Sequence, residues 1–242
     1  MGRIFEKRKA TMFKRYAKMA KAFTKLGKDI AMAVKSGGPH PESNPRLRMI
    51  MQNAKAINMP KANIDGAIKR ASEKDSANYE EVIYEGYAPH GVPVLVECST
   101  DNPTRTVASV RMYFNRAEGA LGTSGSVSFM FDRKVMFKVD STGLDKDNTE
   151  LDLIDFGAEE LNWDDENHEL VIQTAFTDFG KMQSALEEKK YNVKESSKVF
   201  IPTTTTELSP EQEAEVMAMI EKMEDDDDVV AVYHNIAKYP AL

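Results

Sequence analysis

The chain has 242 residues, 41% of them apolar, and 32 lysines and arginines stand against 39 aspartates and glutamates for a net charge of −7. That is enough apolar material for one large core or two to three small ones, and no apolar run approaches the ~20 residues that cross a bilayer. The single cysteine, Cys98, excludes a disulfide within the chain and, with a charged N-terminus that has no apolar signal segment, makes a reducing cytoplasm the expected location.

The charge is unevenly divided. Residues 1–77 hold 18 basic and 6 acidic side chains, a net of +12, and the remainder holds 14 basic and 33 acidic, a net of −19. A basic module joined to an acidic body is the pattern of a polyanion-binding head whose partner is kept at one end by repulsion from the other.

In chain order, Met12, Tyr16, Met19, Phe23, Leu26, Ile30 and Val34 recur at spacings of three and four, which predicts a helix over 2–34. Lys7, Arg8, Lys9, Lys14, Arg15, Lys18, Lys21 and Lys25 stand between them, with Glu6 the only acid before Asp29. A second helix starts at Asn44-Pro45 with Leu47, Met51, Ala54 and Ile57 inward and Arg46, Arg48 and Lys55 outward. A third starts at Met59-Pro60 with Ile64, Ile68 and Ala71 as its stripe. Three basic helices make a small helical domain, 1–77.

From residue 78 the pattern changes. Tyr84 to Cys98 reads as two strands about a turn at Pro89-His90-Gly91, and Val92 to Cys98 has the length and branching of a buried strand. Asp101-Asn102-Pro103 starts a helix, with Asn102 or Asp101 as its cap, Pro103 in the first turn and Val107, Val110 and Phe114 as its core face. Val127, Phe129 and Phe131 alternate with polar or flexible neighbours, which predicts a third strand. This layer needs another helix and strand to close. Both appear at the C-terminus: a capping box at Ser209-Pro210-Glu211-Gln212, Met217, Ile220 and Met223 along the helix, and a strand over 229–233. The intervening segment reads βαββαβ, the ferredoxin-like order. The expected fold is therefore α+β in three domains: 1–77, basic and three-helical; 78–133 with 205–242, a central ferredoxin-like α/β layer; and 134–204, a second ferredoxin-like domain inserted into it.

Chemistry-bearing motifs are sparse. The histidines, His40, His90, His168 and His234, have no partners at ligand spacing, so no metal is expected. There is no phosphate-binding loop, dinucleotide motif or nucleophile elbow, so no cofactor, small-molecule substrate or enzymatic activity is expected. The acids from Glu224 to Asp228 read as a solvated loop. Arg105 and Arg111 face away from the helix core, with an ion pair to Glu85 or Glu97 and a phosphate or partner contact as the alternatives.

The strings YEGY-P-G over 84–91, TDN--RT---VR--F over 100–114, G-LG--GSV-F-F over 119–131 and VYHNI at 232–236 resemble the YebC/PmpR family of bacterial proteins. That resemblance covers the whole chain. It implies three domains and a cytoplasmic DNA-binding transcriptional regulator, or a translation factor acting on rRNA or tRNA at the ribosome. Many relatives begin Gly-His-Ser-Lys-Trp, where this chain has Gly2-Arg3-Ile4-Phe5-Glu6, so the His and Trp are replaced while basicity is kept. The expected partner is nucleic acid, gripped through phosphates by the basic residues of the helical domain together with Arg105 and Arg111. A protein-binding adaptor is a further alternative, and a monomer is the expected state.

Overall fold

The computed structural model describes the backbone of residues 2–73 and 77–237 and the side chains from residue 19 onward. Among the described residues no helix is long and apolar enough to cross a membrane.

The chain opens with three helices, α1 (Gly2–Gly37), α2 (Pro45–Ala56) and α3 (Lys61–Ala71). Asn44 joins the first two. Its buried amide accepts from the Leu47 N–H at 3.0 Å as the cap of α2 and donates to the Ala33 and Gly38 carbonyls at 2.8 Å at the end of α1. Any side chain at Gly37 would meet that amide, since a Cβ there would stand 2.7 Å from it. Ile30, Ala33, Leu47, Ile50, Ile64 and Ala67 fill the helical core. Ile57, predicted inward, is instead 36% exposed, and Met49 and Ile50 take its place.

Next come β1 (Glu80–Tyr87), β2 (Pro93–Thr100), α4 (Pro103–Arg116) and the two-residue β3 (Ala120–Leu121). Then follow β4 (Phe131–Asp140), α5 (Lys146–Ile154), β5 (Ala158–Asp164), β6 (Glu169–Ala175), α6 (Phe179–Glu188) and β7 (Val193–Pro202). The chain closes with α7 (Pro210–Glu224) and β8 (Val229–His234). The strands make two antiparallel sheets, ordered β3-β1-β2-β8 and β5-β6-β4-β7. In the second sheet the order and the chain sequence βαββαβ together are ferredoxin-like. In the first, α4 and α7 both pack on one face, with Val94, Val96, Val110, Phe114, Met219 and Met223 between them. α7 starts with the predicted capping box, Ser209 and Gln212 satisfying each other's backbone N–H.

β2 is buried along almost its whole length, because it is covered on both faces. Leu95 points away from α4 and α7 into a separate cluster with Val127 and Phe131, against which Phe200 and Tyr233 pack. This cluster is the seam between the two sheets.

The third strand expected over Val127–Phe131 is not formed. The buried Glu85 carboxylate accepts the backbone N–H groups of Gly125, Val127 and Ser128 at 2.7–2.8 Å, which curls the segment into a single 3₁₀ turn over Ser128–Met130. Phe129 is left 72% exposed and Phe131 becomes the first residue of β4. The strand role falls to Ala120–Leu121, which comes so close to β1 that a Cβ at Gly86 would lie 2.6 Å from the Ala120 carbonyl oxygen.

The helical unit rests on both sheets. Asn53 on α2 donates to the Ser196 carbonyl at 2.6 Å and accepts the Ser196 N–H at 2.9 Å, completing the backbone bonding of the edge strand β7 as another strand would. Phe179 stacks on Phe137 at 5.9 Å within the second sheet's core and also touches the helical core.

Candidate nucleic-acid interface

The basic residues predicted from the sequence fall into three groups. Lys7, Arg8, Lys9, Lys14, Arg15 and Lys18 lie on the first half of α1, outside the described side chains.

A second group is engaged within the molecule. Lys21, Lys25 and Lys28 recur along one face of α1, and the acidic run that follows α7 lies against that face. Lys21 pairs with Asp225. Lys25 donates to the Val230 carbonyl at 3.3 Å. Burial lowers its pKa, and Glu224 pulls the other way. Lys28 is buried and donates to Asp228 Oδ1 at 2.7 Å and to the carbonyls of Asp227 and Ser99 at 2.8 and 3.0 Å. The other oxygen of Asp228 accepts from Arg105 Nη2 and Thr106 Oγ1, both at 2.9 Å. Burial raises the pKa of Asp228, but the hydrogen bonds from Lys28, Arg105 and Thr106 outweigh it and hold the carboxyl at about 2. The run expected to be a solvated loop is therefore a docked element, neutralised by α1 and α4. Arg105 pairs with Asp101 and Asp228, not with Glu85 or Glu97, both of which accept from other donors.

Arg46 and Arg48, expected on an open face, are half-buried where α2 meets the body. Arg46 pairs with Glu81 of β1, which Lys198 of β7 also approaches at 3.3 Å, so one carboxylate ties the helical unit to both sheets. Arg48 reaches Glu187 of α6 at 3.4 Å and donates to the carbonyls of Pro41 and Glu42.

A third group is exposed and, among the described residues, carries no ion pair: Lys55 on α2 and Arg111 on α4. Lys61, Lys69 and Arg70 of α3 share this state, as does Arg116 of α4. Sequence reading did not single out these four, although the charge division between the two parts of the chain included the α3 residues. Arg111, Met112, Asn115 and Arg116 line a shallow hollow on the outer side of α4.

Behind the Arg46–Glu81 pair lies a cleft of about 990 Å³ between the helical unit and the two sheets. Asp29 lines it with Glu81 and Glu97. Burial and the neighbouring Glu81 push the Asp29 carboxyl up to about 6, against the opposing pull of Arg46 and Lys198. Tyr233 donates to Glu97 at 3.1 Å. Cys98 is buried under α4 and α7, and burial drives its thiol up to about 12, which makes it a packing residue rather than a nucleophile. Among the described residues no three His, Cys, Asp or Glu side chains are placed to hold a metal ion.

Residues 3–74 match the family described as TACO1/YebC protein N-terminal domain, and residues 79–236 match the one described as TACO1/YebC second and third domain. The chain belongs to the TACO1/YebC family. It is similar to a probable transcriptional regulatory protein of Cytophaga hutchinsonii, 56% identical over 98% of this chain and 99% of the relative. A protein of the same description from Flavobacterium psychrophilum is 51% identical over 98% and 99% of the two chains. The crystal structure of a conserved hypothetical protein from Aquifex aeolicus matches with a TM-score of 0.77 and 35% identity, over 92% of this chain and 93% of that one. The helical start, the two antiparallel sheets and their connection are thus a TACO1/YebC fold, and the family is a regulatory one by the names its members carry.

Proposed function

We propose that this TACO1/YebC protein is a nucleic-acid-binding regulator that grips phosphates with its helical unit, the two α/β parts forming an acidic scaffold. The observation that carries this reading is the charge division, +12 over residues 1–77 against −19 over the rest. The unpaired Lys55, Lys61, Lys69 and Arg70 support it, because they leave α2 and α3 cationic after the internal ion pairs are satisfied. The domain division that goes with this reading is 1–77, 78–133 with 205–242, and 134–204. Duplex DNA is the expected target, in keeping with the regulatory names of the relatives. The mechanism is electrostatic: each lysine or arginine that neutralises a phosphate releases condensed counterions, which supplies affinity without reading sequence.

The test is cross-linking in cells followed by sequencing of the nucleic acid that co-purifies with the full chain. Enrichment of DNA, lost when Lys55, Lys61, Lys69 and Arg70 are changed to alanine, supports the reading. Enrichment of ribosomal RNA moves the activity to translation. Recovery of neither contradicts it.

A further inference from the structure

The contact between α1 and the acidic run has two halves of different character. The inner half is structural. The side chains of Lys28 and Asp228 are only 10% and 11% exposed, and they share their network with Arg105 and Thr106. The outer half is open to solvent. Lys21 and Asp225 pair with side chains 37% and 77% exposed, while Lys25, part-buried and donating to the Val230 carbonyl, feels the exposed Glu224 and Asp227 through their charge without an ion pair to either. Exposed pairs of this kind are weak and exchange readily with other ions. Tyr113 on α4 donates to Asp226 at 3.1 Å, so the run keeps its place whether or not its outer acids are paired.

We propose that Glu224, Asp225 and Asp227 form an autoinhibitory clamp, an internal substitute for phosphate that nucleic acid must displace from Lys21 and Lys25. The proposal rests on the nucleic-acid reading above. A polyanion that takes these lysines leaves three carboxylates beside itself, and those carboxylates take up cations from solution. That uptake offsets part of the counterion release from the nucleic acid, so the clamp both weakens binding and flattens its dependence on salt. Removing the three charges while keeping shape and hydrogen bonding isolates this effect.

The experiment compares the full chain with its E224Q/D225N/D227N variant, titrated against a DNA duplex and an RNA hairpin of equal length over a range of salt. The variant is expected to bind about tenfold more tightly near 0.1 M salt, with a steeper slope of log K against log salt, because no freed carboxylate takes up cations to offset the counterion release. In a K21A/K25A background the same three substitutions are expected to change affinity by less than about twofold, because the lysines they would free are gone. A gain that persists in that background is long-range relief of charge repulsion and overturns the clamp, as does the absence of any gain. Amine acetylation of Lys21, read by mass spectrometry without nucleic acid, separates the two levels of failure. Equal modification in both proteins contradicts the contact itself. Faster modification in the variant, with neither protein retained by nucleic acid at low salt, leaves the contact standing and removes both the functional reading and the clamp's role.

Discussion

Asp228 shows how much one side chain can organise. Its carboxylate accepts from Lys28, Arg105 and Thr106 and so joins α1, α4 and the start of β8 at a buried point. Changing it to Asn leaves Lys28 buried without its counter-charge, and a loss of about 2–4 kcal/mol in urea unfolding is expected at pH 7. A carboxyl held at about 2 is more acidic when folded than unfolded. Its contribution is therefore present above the ordinary carboxylate range and is lost as pH falls from about 4 to about 2. Asp29 has the opposite sign. Its carboxyl is pushed up to about 6, so the folded state holds the proton more tightly and stability falls as pH rises from about 4 to about 6. Asp29→Asn is accordingly expected to raise stability at pH 7.5 by about 1–2 kcal/mol and to flatten that part of the pH profile. Thermal unfolding across pH checks both variants, and a destabilised Asp29→Asn at pH 7.5 would contradict the assignment.

At the scale of elements, local signals and long-range ones were not equally legible. The helix starts at Asn44, Asn102 and Ser209 are written in short spacings and appear where expected, and most of the described stripe residues are buried, Ile57 excepted. The segment Val127–Phe131 alternates as a strand should, yet a glutamate some forty residues earlier takes its N–H groups and bends it. No local pattern carries that information. Glu85→Gln replaces an acceptor of three N–H bonds by a group that can accept with only one atom, and a loss of about 2–3 kcal/mol is expected. Arg46 and Arg48 were equally opaque. Their spacing on α2 marks them as facing away from the helical core, but the sequence does not say that β1 and α6 lie there. Arg46→Ala is expected to lower stability by about 0.5–1 kcal/mol, and the salt dependence of nucleic-acid binding is expected to stay the same. A flattened slope in a folded Arg46→Ala protein would return this residue to the interface.

For the molecule as a whole, the asymmetry of charge was visible in composition, but its consequence was not. The acidic body is not held apart from the basic part of the chain, because its Asp225–Asp228 segment is bound to the basic helix. Of the thirteen cations predicted as a binding set, Lys21, Lys25, Arg46, Arg48 and Arg105 are held by groups of the same chain. Lys55 and Arg111 are open. The set of cations left without an internal partner is therefore smaller than the count of 18 basic residues in 1–77 suggests. The claim that the basic helical unit grips phosphates is tested most directly by the salt dependence of duplex binding in the full chain and in its K14A/R15A/K18A variant. These positions fall between the stripe residues Met12, Tyr16, Met19 and Phe23, and alanine is the best helix former, so the fold is expected to survive. If each side chain neutralises one phosphate, the slope of log K against log salt flattens by roughly 2.7 units, about 0.9 for each contact. An unchanged slope in a variant with an unchanged helical circular dichroism signal would contradict the claim.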